Sequence, residues 1–165
     1  MILPGFTRRR SLRRVFGRKE GGAMIRRADD GDLEAAAALA GLLWPDAEEL
    51  RKEYSQLLTE PECAVFLWEE DGEAAAFAQV QLRRDYVEGT STSPVGYLEG
   101  IYVKEDRRKR GIAAALLRAG EAWAAEQGCR EFASDCELGN EASIAFHRRV
   151  GFTEANRIVC FTKPL

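Results

Sequence analysis

The 165-residue sequence predicts one α/β domain built on a mixed, mostly antiparallel central sheet flanked by helices, and three observations carry that reading. Runs of strand length alternate with helical-period runs in the order strand, two helices, three strands, helix, strand, helix, strand. A hydrophobic content of 45% supplies a real core at this length, and the chain is too short for two domains. No repeat or low-complexity tract breaks the pattern after the first twenty residues.

Those first residues are set apart by charge. Arg8, Arg9, Arg10, Arg13, Arg14, Arg18 and Lys19 stand against one acid, Glu20, and no apolar h-region follows, so a secretory signal does not fit. Residues 1–23 read as a disordered basic leader and 24–165 as the domain. Subtracting the leader from totals of 24 basic and 27 acidic residues leaves 17 and 26, so the body is −9 where the whole chain is −3. Such a surface repels nucleic acid and concentrates cationic ligands. Charges interrupt every apolar stretch before the roughly 18 residues of a membrane span, so no membrane partner is expected.

Four cysteines (Cys63, Cys129, Cys136, Cys160) lack C-x-x-C spacing and His147 is the only histidine, which argues against a metal site and for a reducing, cytoplasmic compartment.

Along the domain, Ala23 to Arg27 reads as a strand. Asp29 or Asp32 caps a helix from Leu33 to Leu43 that Pro45 ends, and a second helix runs from about Asp46 to Leu58. Trp44 falls at the elbow between them. Ala64 to Glu69 and Ala74 to Arg84 form a hairpin around Glu70-Asp71-Gly72, a Gly/Ser/Thr-rich loop covers Asp85 to Pro94, and Val95 to Val103 is the next strand. A helix from Ile112 to Gln127 ends at Gly128. Glu131 to Ser134 is a short strand, Glu141 to Val150 a helix closed by Gly151, and Phe152 to Thr162 the last strand.

The most specific local signal is Arg108-Lys109-Arg110-Gly111-Ile112-Ala113, between a strand and a helix. Unpaired amides at a helix start form an anion site, Gly111 permits close approach, and Arg107, Arg108, Lys109 and Arg110 add positive charge. Neither a Walker A loop nor a Rossmann fingerprint is present.

This R-x-x-G-x-A turn, with Asn140, Ser143, His147 and Gly151-Phe152 downstream, resembles the GNAT acetyltransferases. The resemblance implies acetyl-CoA as cosubstrate. Its pyrophosphate would lie on Arg108, Lys109, Arg110, Gly111, Ile112 and Ala113, and its pantetheine arm between Ile101, Tyr102, Val103 on one side and Asn140, Ser143, His147 on the other. Many members carry Tyr where this chain has His147; an imidazole with an ordinary pKa of about 6.5 could protonate the departing thiolate in its place.

A closer similarity covers nearly everything from Met24 onward. Leu43-Trp44-Pro45, Arg84-Asp85-Tyr86-Val87-Glu88-Gly89, Leu98-Glu99-Gly100-Ile101-Tyr102-Val103 and Ala133-Ser134-Asp135 are similar to segments of the aminoglycoside 6'-N-acetyltransferases. That resemblance implies an aminoglycoside acceptor held by Trp44, Tyr86, Glu99 and Asp135, with Glu99 as general base and direct transfer in a ternary complex. Residue chemistry agrees, since a polycation rich in hydroxyls requires carboxylates, and a Glu inside an apolar strand is costly without a partner. An N–H near Val103, exposed by a strand irregularity, is expected to stabilise the oxyanion. A homodimer is implied by the resemblance and by the apolar segment Ile158 to Phe161. The alternatives are an acetyltransferase for another small amine, a polyamine or a protein N-terminus, and a non-catalytic acyl-CoA-binding module.

Overall fold

The structure, a computed structural model, describes residues 15–18, 22–44 and 47–165. Six strands lie side by side in chain order: β1 (Val15–Arg18), β2 (Met24–Arg27), β3 (Cys63–Glu70), β4 (Glu73–Arg83), β5 (Val95–Val103) and β6 (Phe132–Ser134). Neighbours are antiparallel except β5 and β6, which run parallel over only three pairs, Gly96 with Phe132 to Leu98 with Ser134. Helices α1 (Leu33–Ala40) and α2 (Ala47–Leu57) cover one face; α3 (Ile112–Glu126) covers the other, joined by residues of α4 (Glu141–Arg149).

Burial explains why β3 shows no apolar–polar alternation. Ala64, Phe66 and Trp68 pack toward α3 while Cys63, Val65 and Leu67 pack toward α1 and α2, so both faces of the strand are core. Asp71 and Gly72 take φ of 55° and 79°, the left-handed pair that a two-residue hairpin turn demands. At the other corner Arg26 is buried yet paired: its guanidinium donates to both oxygens of Asp32 at 2.6 and 2.8 Å and to Glu69 at 2.8 Å. Asp32 thus ties β2 to the start of α1, where it makes no side-chain cap; in the short turn just before, it and Asp29 form a capping box, Asp29 accepting from the Gly31 amide and Asp32 from the Asp29 amide, each at 3.0 Å.

Three expectations change. Val15–Arg18 forms a strand on the free edge of β2, so the leader is not wholly disordered; its remainder, 1–14 and 19–21, lies outside the described residues, as do Pro45 and Asp46. Helix α1 stops at Ala40, and Leu42 and Leu43 sit exposed in a turn, because their amides bond back only three residues, to Leu39 and Ala40, and tighten the chain out of α geometry. Residues 152–162 form no strand: a ladder needs a neighbour, and among the described residues none pairs with them.

Candidate active site

One irregularity in β5 organises the site. Gln79 pairs with Gly100 and Val80 with Leu98, so Glu99 is the extra residue of a β-bulge. The bulge shifts the phase of the strand. Leu98 packs toward α3, and so do Ile101 and Val103, which an unbroken alternation would send to the opposite face.

The backbone shifts with it. Lys104 donates its amide to Ala75 at 3.0 Å, and antiparallel alternation then turns Tyr102 toward β4 and the polar groups of Ile101 and Val103 toward the other edge. On that edge β6 has already ended at Ser134, so the strands fork and Ile101 and Val103 face an open cleft. Tyr102 bonds to β4 through its backbone, so of the three residues it is Ile101 and Val103 whose backbone polar groups face the open edge.

Glu99 and Asp135 are connected. Arg83 of β4 grips Glu99 with a fork, Nε to Oε1 at 3.0 Å and Nη2 to Oε2 at 2.8 Å, and its guanidinium lies 3.4 Å above the centre of the Tyr97 ring. Tyr97 in turn donates its hydroxyl to Asp135 Oδ1 at 2.5 Å. Burial pushes the Glu99 carboxyl above its ordinary range, partly opposed by the hydrogen bond and charge of Arg83 and reinforced by Asp135 and Glu53. Burial also raises the Tyr97 phenol, with the bond to Asp135 adding to it, so Tyr97 stays a donor.

Trp44 borders this pair. A Cβ on Gly100 would stand 2.3 Å from Cη2 of Trp44, so the indole rests directly on the strand beside the bulge, edge-on to Phe77 at 6.1 Å. Tyr86 is 80% exposed, and its hydroxyl donates to Glu88 at 2.7 Å. Its loop is nonetheless anchored: Glu131 accepts from the Ser91 and Thr92 amides at 2.9 and 2.6 Å, Val87 is buried beside Val95 and Tyr97, and Asn156 donates to Glu88.

Past the cleft lies the turn into α3. Lys109 and Gly111 take φ of 61° and 77°, Gly111 is the N-cap and has no side chain to offer the first amides, and the first bond of the helix runs from Ala115 to the Gly111 carbonyl. The amides of Ile112 and Ala113 are therefore unpaired, and the Gly111 Cα faces open space, a cradle suited to an anion. Its side chains contribute less than expected. Arg110 is forked onto Glu70 at 2.6 and 3.0 Å, Arg107 leans on Asp106 and Glu70, and Arg108 donates to the Val103 carbonyl while lying near Tyr102. What the turn can offer an anion is chiefly backbone.

Across the fork stands α4. Asn140 caps it by accepting from the Ser143 amide at 3.0 Å. His147 Nδ1 lies 2.8 Å from the Ser143 carbonyl, and since a carbonyl only accepts, Nδ1 holds the proton of the neutral ring. Nε2 is then an acceptor, 3.0 Å from the Ser134 hydroxyl, whose single proton is shared between it and the Leu98 carbonyl at 3.1 Å. His147 thus meets the cleft through Ser134. Sequence reasoning missed Arg83, Tyr97 and Ser134; the Ala-Ser-Asp run was noticed, but only the fork between β5 and β6 shows that its serine stands between His147 and β5.

A bulged, one-edge-open strand leading into an uncapped helix is the frame of an acyl-CoA transferase, and residues 32–152 match the family model described as "Acetyltransferase (GNAT) family". The chain belongs to that family. It is 47% identical over 142 residues to the aminoglycoside N(6')-acetyltransferase type 1 of Stenotrophomonas maltophilia, spanning 86% of this chain and 93% of that one. The protein of the same name from Acinetobacter haemolyticus is 42% identical, over 86% and 98%. Among solved structures, AAC(6')-Iy bound to the bisubstrate analogue CoA-S-monomethyl-acetylneamine superposes with a TM-score of 0.83 at 35% identity, and AAC(6')-Ih of Acinetobacter baumannii with 0.83 at 40%; each covers 87% of this chain and 99% of its own.

Proposed function

We propose that the protein transfers the acetyl group of acetyl-CoA to the 6'-amine of an aminoglycoside, inactivating the antibiotic, by direct attack in a ternary complex. One observation carries this reading: two linked carboxylates stand where β5 and β6 part, on the same strand whose open edge leads to the anion-binding start of α3. Acidic groups suit the cationic acceptor, and the open edge with its terminal amides suits the donor.

The chemistry then divides among named residues. Glu99 retains unused lone pairs outside the Arg83 fork and takes a proton from the acceptor ammonium, freeing the nitrogen to attack the thioester carbonyl. The Val103 or Ile101 amide, turned to the cleft, donates to the oxyanion. As the carbon–sulfur bond breaks, the thiolate takes the Ser134 proton and Ser134 takes the second proton that the attacking nitrogen must shed, while Nε2 of neutral His147 orients the hydroxyl. Asp135 and the flat faces of Trp44 and Tyr86 hold the acceptor's charged rings. For the donor, Arg108, Lys109, Arg110, Gly111, Ile112 and Ala113 receive the pyrophosphate, and Asn140 and Ser143 shape the α4 wall.

Mass spectrometry tests it. Kanamycin or tobramycin incubated with protein and acetyl-CoA should gain one acetyl group, and a congener with a 6'-hydroxyl should gain none. Equal modification of both, or of polyamines in preference to either, refutes the assignment.

We also read the protein as a cytoplasmic homodimer with residues 24–165 as its catalytic domain. Ile158, Val159 and Phe161 are 67%, 78% and 90% exposed on a segment without ladder partners, an arrangement suited to burial against a second copy. Light scattering should give twice the chain mass, and truncation after Asn156 should halve it; a monomeric intact chain defeats this reading. Four free cysteines accord with a reducing compartment.

A further inference from the structure

We propose that Arg83 is a positioning residue of the acceptor site, holding Glu99 directly and Asp135 through Tyr97 as one oriented carboxylate pair. This rests on the acetyltransferase reading above. Three features of the geometry carry it.

First, the contacts form an unbroken line: a two-pronged grip on Glu99, a guanidinium stacked on the Tyr97 ring, and a phenol bonded to Asp135. Every link constrains direction as well as distance, because the fork is planar, the ring is flat, and the phenol has one proton. Second, register alone would not bring Arg83 and Glu99 together. Arg83 pairs with Val95, and it reaches Glu99 only by lying back across Tyr97. Glu99 stands two residues beyond Tyr97 on the strand, at the end of that reach. Third, the arrangement resolves a local electrostatic conflict. Around Glu99 stand Asp135 after β6, Glu53 of α2, the Cys63 thiol of β3 and the Tyr97 phenol of β5, and among the described residues Arg83 of β4 is the one cation that acts on it. Without it Glu99, half-buried beside the exposed Asp135 and Glu53, would hold its proton or turn away from them.

The side chain of Arg83 is 39% exposed and that of Glu99 20%, so the fork covers the strand side of Glu99 and leaves its outer lone pairs to the acceptor. A bare core charge would not need such a shape. An opposite possibility, that Arg83 merely fills the ammonium position until the acceptor displaces it, predicts tighter acceptor binding when Arg83 is removed. The test separates the two.

Arg83→Gln and Arg83→Lys are to be compared with wild type on a 6'-amino aminoglycoside, measuring kcat/KM against pH, the KM for acetyl-CoA and the melting temperature. Positioning predicts that Arg83→Gln lowers kcat/KM for the acceptor about tenfold or more while the acetyl-CoA KM holds. Its acid limb should move upward, because removing a nearby cation raises further a carboxyl already raised by burial. Arg83→Lys restores the charge without the fork, so its acid limb should return toward wild type while kcat/KM recovers only in part. An unchanged profile in Arg83→Gln, or a lower acceptor KM, overturns the proposal. If Arg83→Gln does not fold, Arg83→Lys decides: wild-type kcat/KM in that variant overturns it, and a selective loss on the acceptor side supports it. A wild-type enzyme inactive on all 6'-amino aminoglycosides would instead defeat the functional reading.

Discussion

Glu99→Gln should lower kcat for a 6'-amino aminoglycoside by about a hundredfold, the low end for general-base assistance, and leave the acetyl-CoA KM near its wild-type value. The low end applies because an amine, once deprotonated, is already a good nucleophile. Glutamine keeps the length and one oxygen, so it can still occupy the bulge and accept one bond from Arg83, and what disappears is the proton acceptor. The pH profile supplies the sharper evidence. Glu99 is raised above the ordinary carboxylate range by burial, so it protonates earlier than most as pH falls, and wild-type kcat/KM should show an acid limb in that region. Glu99→Gln should lack that limb. Asp135→Asn should differ in kind, raising the acceptor KM about tenfold with a smaller change in kcat, because Asp135 is bound to Tyr97 and offers charge rather than proton transfer. Near-normal kinetics in both variants would remove the acceptor site from this cleft.

The frame of that cleft was legible in the sequence, and its wiring was not. β5 was bounded at Val95 and Val103 because apolar and aromatic residues fill it and a Pro and a charged run flank it. The hairpin followed from Asp71-Gly72, and the uncapped turn from Gly111 between a strand and a helical period. These are local signals, set by one residue's backbone preference or by neighbours in the chain. The bulge at Glu99 is different. It is a mismatch between two strands, visible only when Val80 is found opposite Leu98 and Gln79 opposite Gly100. Arg83, Tyr97 and Ser134 matter because of it or because β6 stops early, so no pattern in the line of residues marks them. The four basic residues of the turn show the converse error. Composition counted them all as attraction for an anion, but Arg107 and Arg110 are spent on Glu70, forty residues away in the case of Arg110.

Because the turn's charges are largely neutralised, its affinity for a pyrophosphate must come from backbone amides, and Gly111→Val should be more damaging than the loss of any one basic side chain. Gly111 holds φ of 77°, a region where a β-branched residue is strained by roughly 1–2 kcal/mol. The added side chain would also fill space beside the first amides of the helix, since apart from the chain neighbours nothing lies within 4 Å of a Cβ at Gly111. Losing two charge-assisted bonds of about 1.5 kcal/mol each corresponds to roughly a hundredfold rise in the acetyl-CoA KM. Strain and obstruction can be told apart. Gly111→Asn tolerates the left-handed conformation but still fills the space, so it should keep the wild-type melting temperature and yet bind acetyl-CoA poorly. Gly111→Ala meets strain with little bulk, so it should lose some thermal stability and retain most of its affinity. Lys109→Ala, which removes the one turn cation without an ion pair among the described residues, should cost no more than a few-fold. Calorimetric titration with CoA reads all four variants without depending on the acceptor, and wild-type affinity in Gly111→Val and Gly111→Asn would show that the pyrophosphate is held elsewhere.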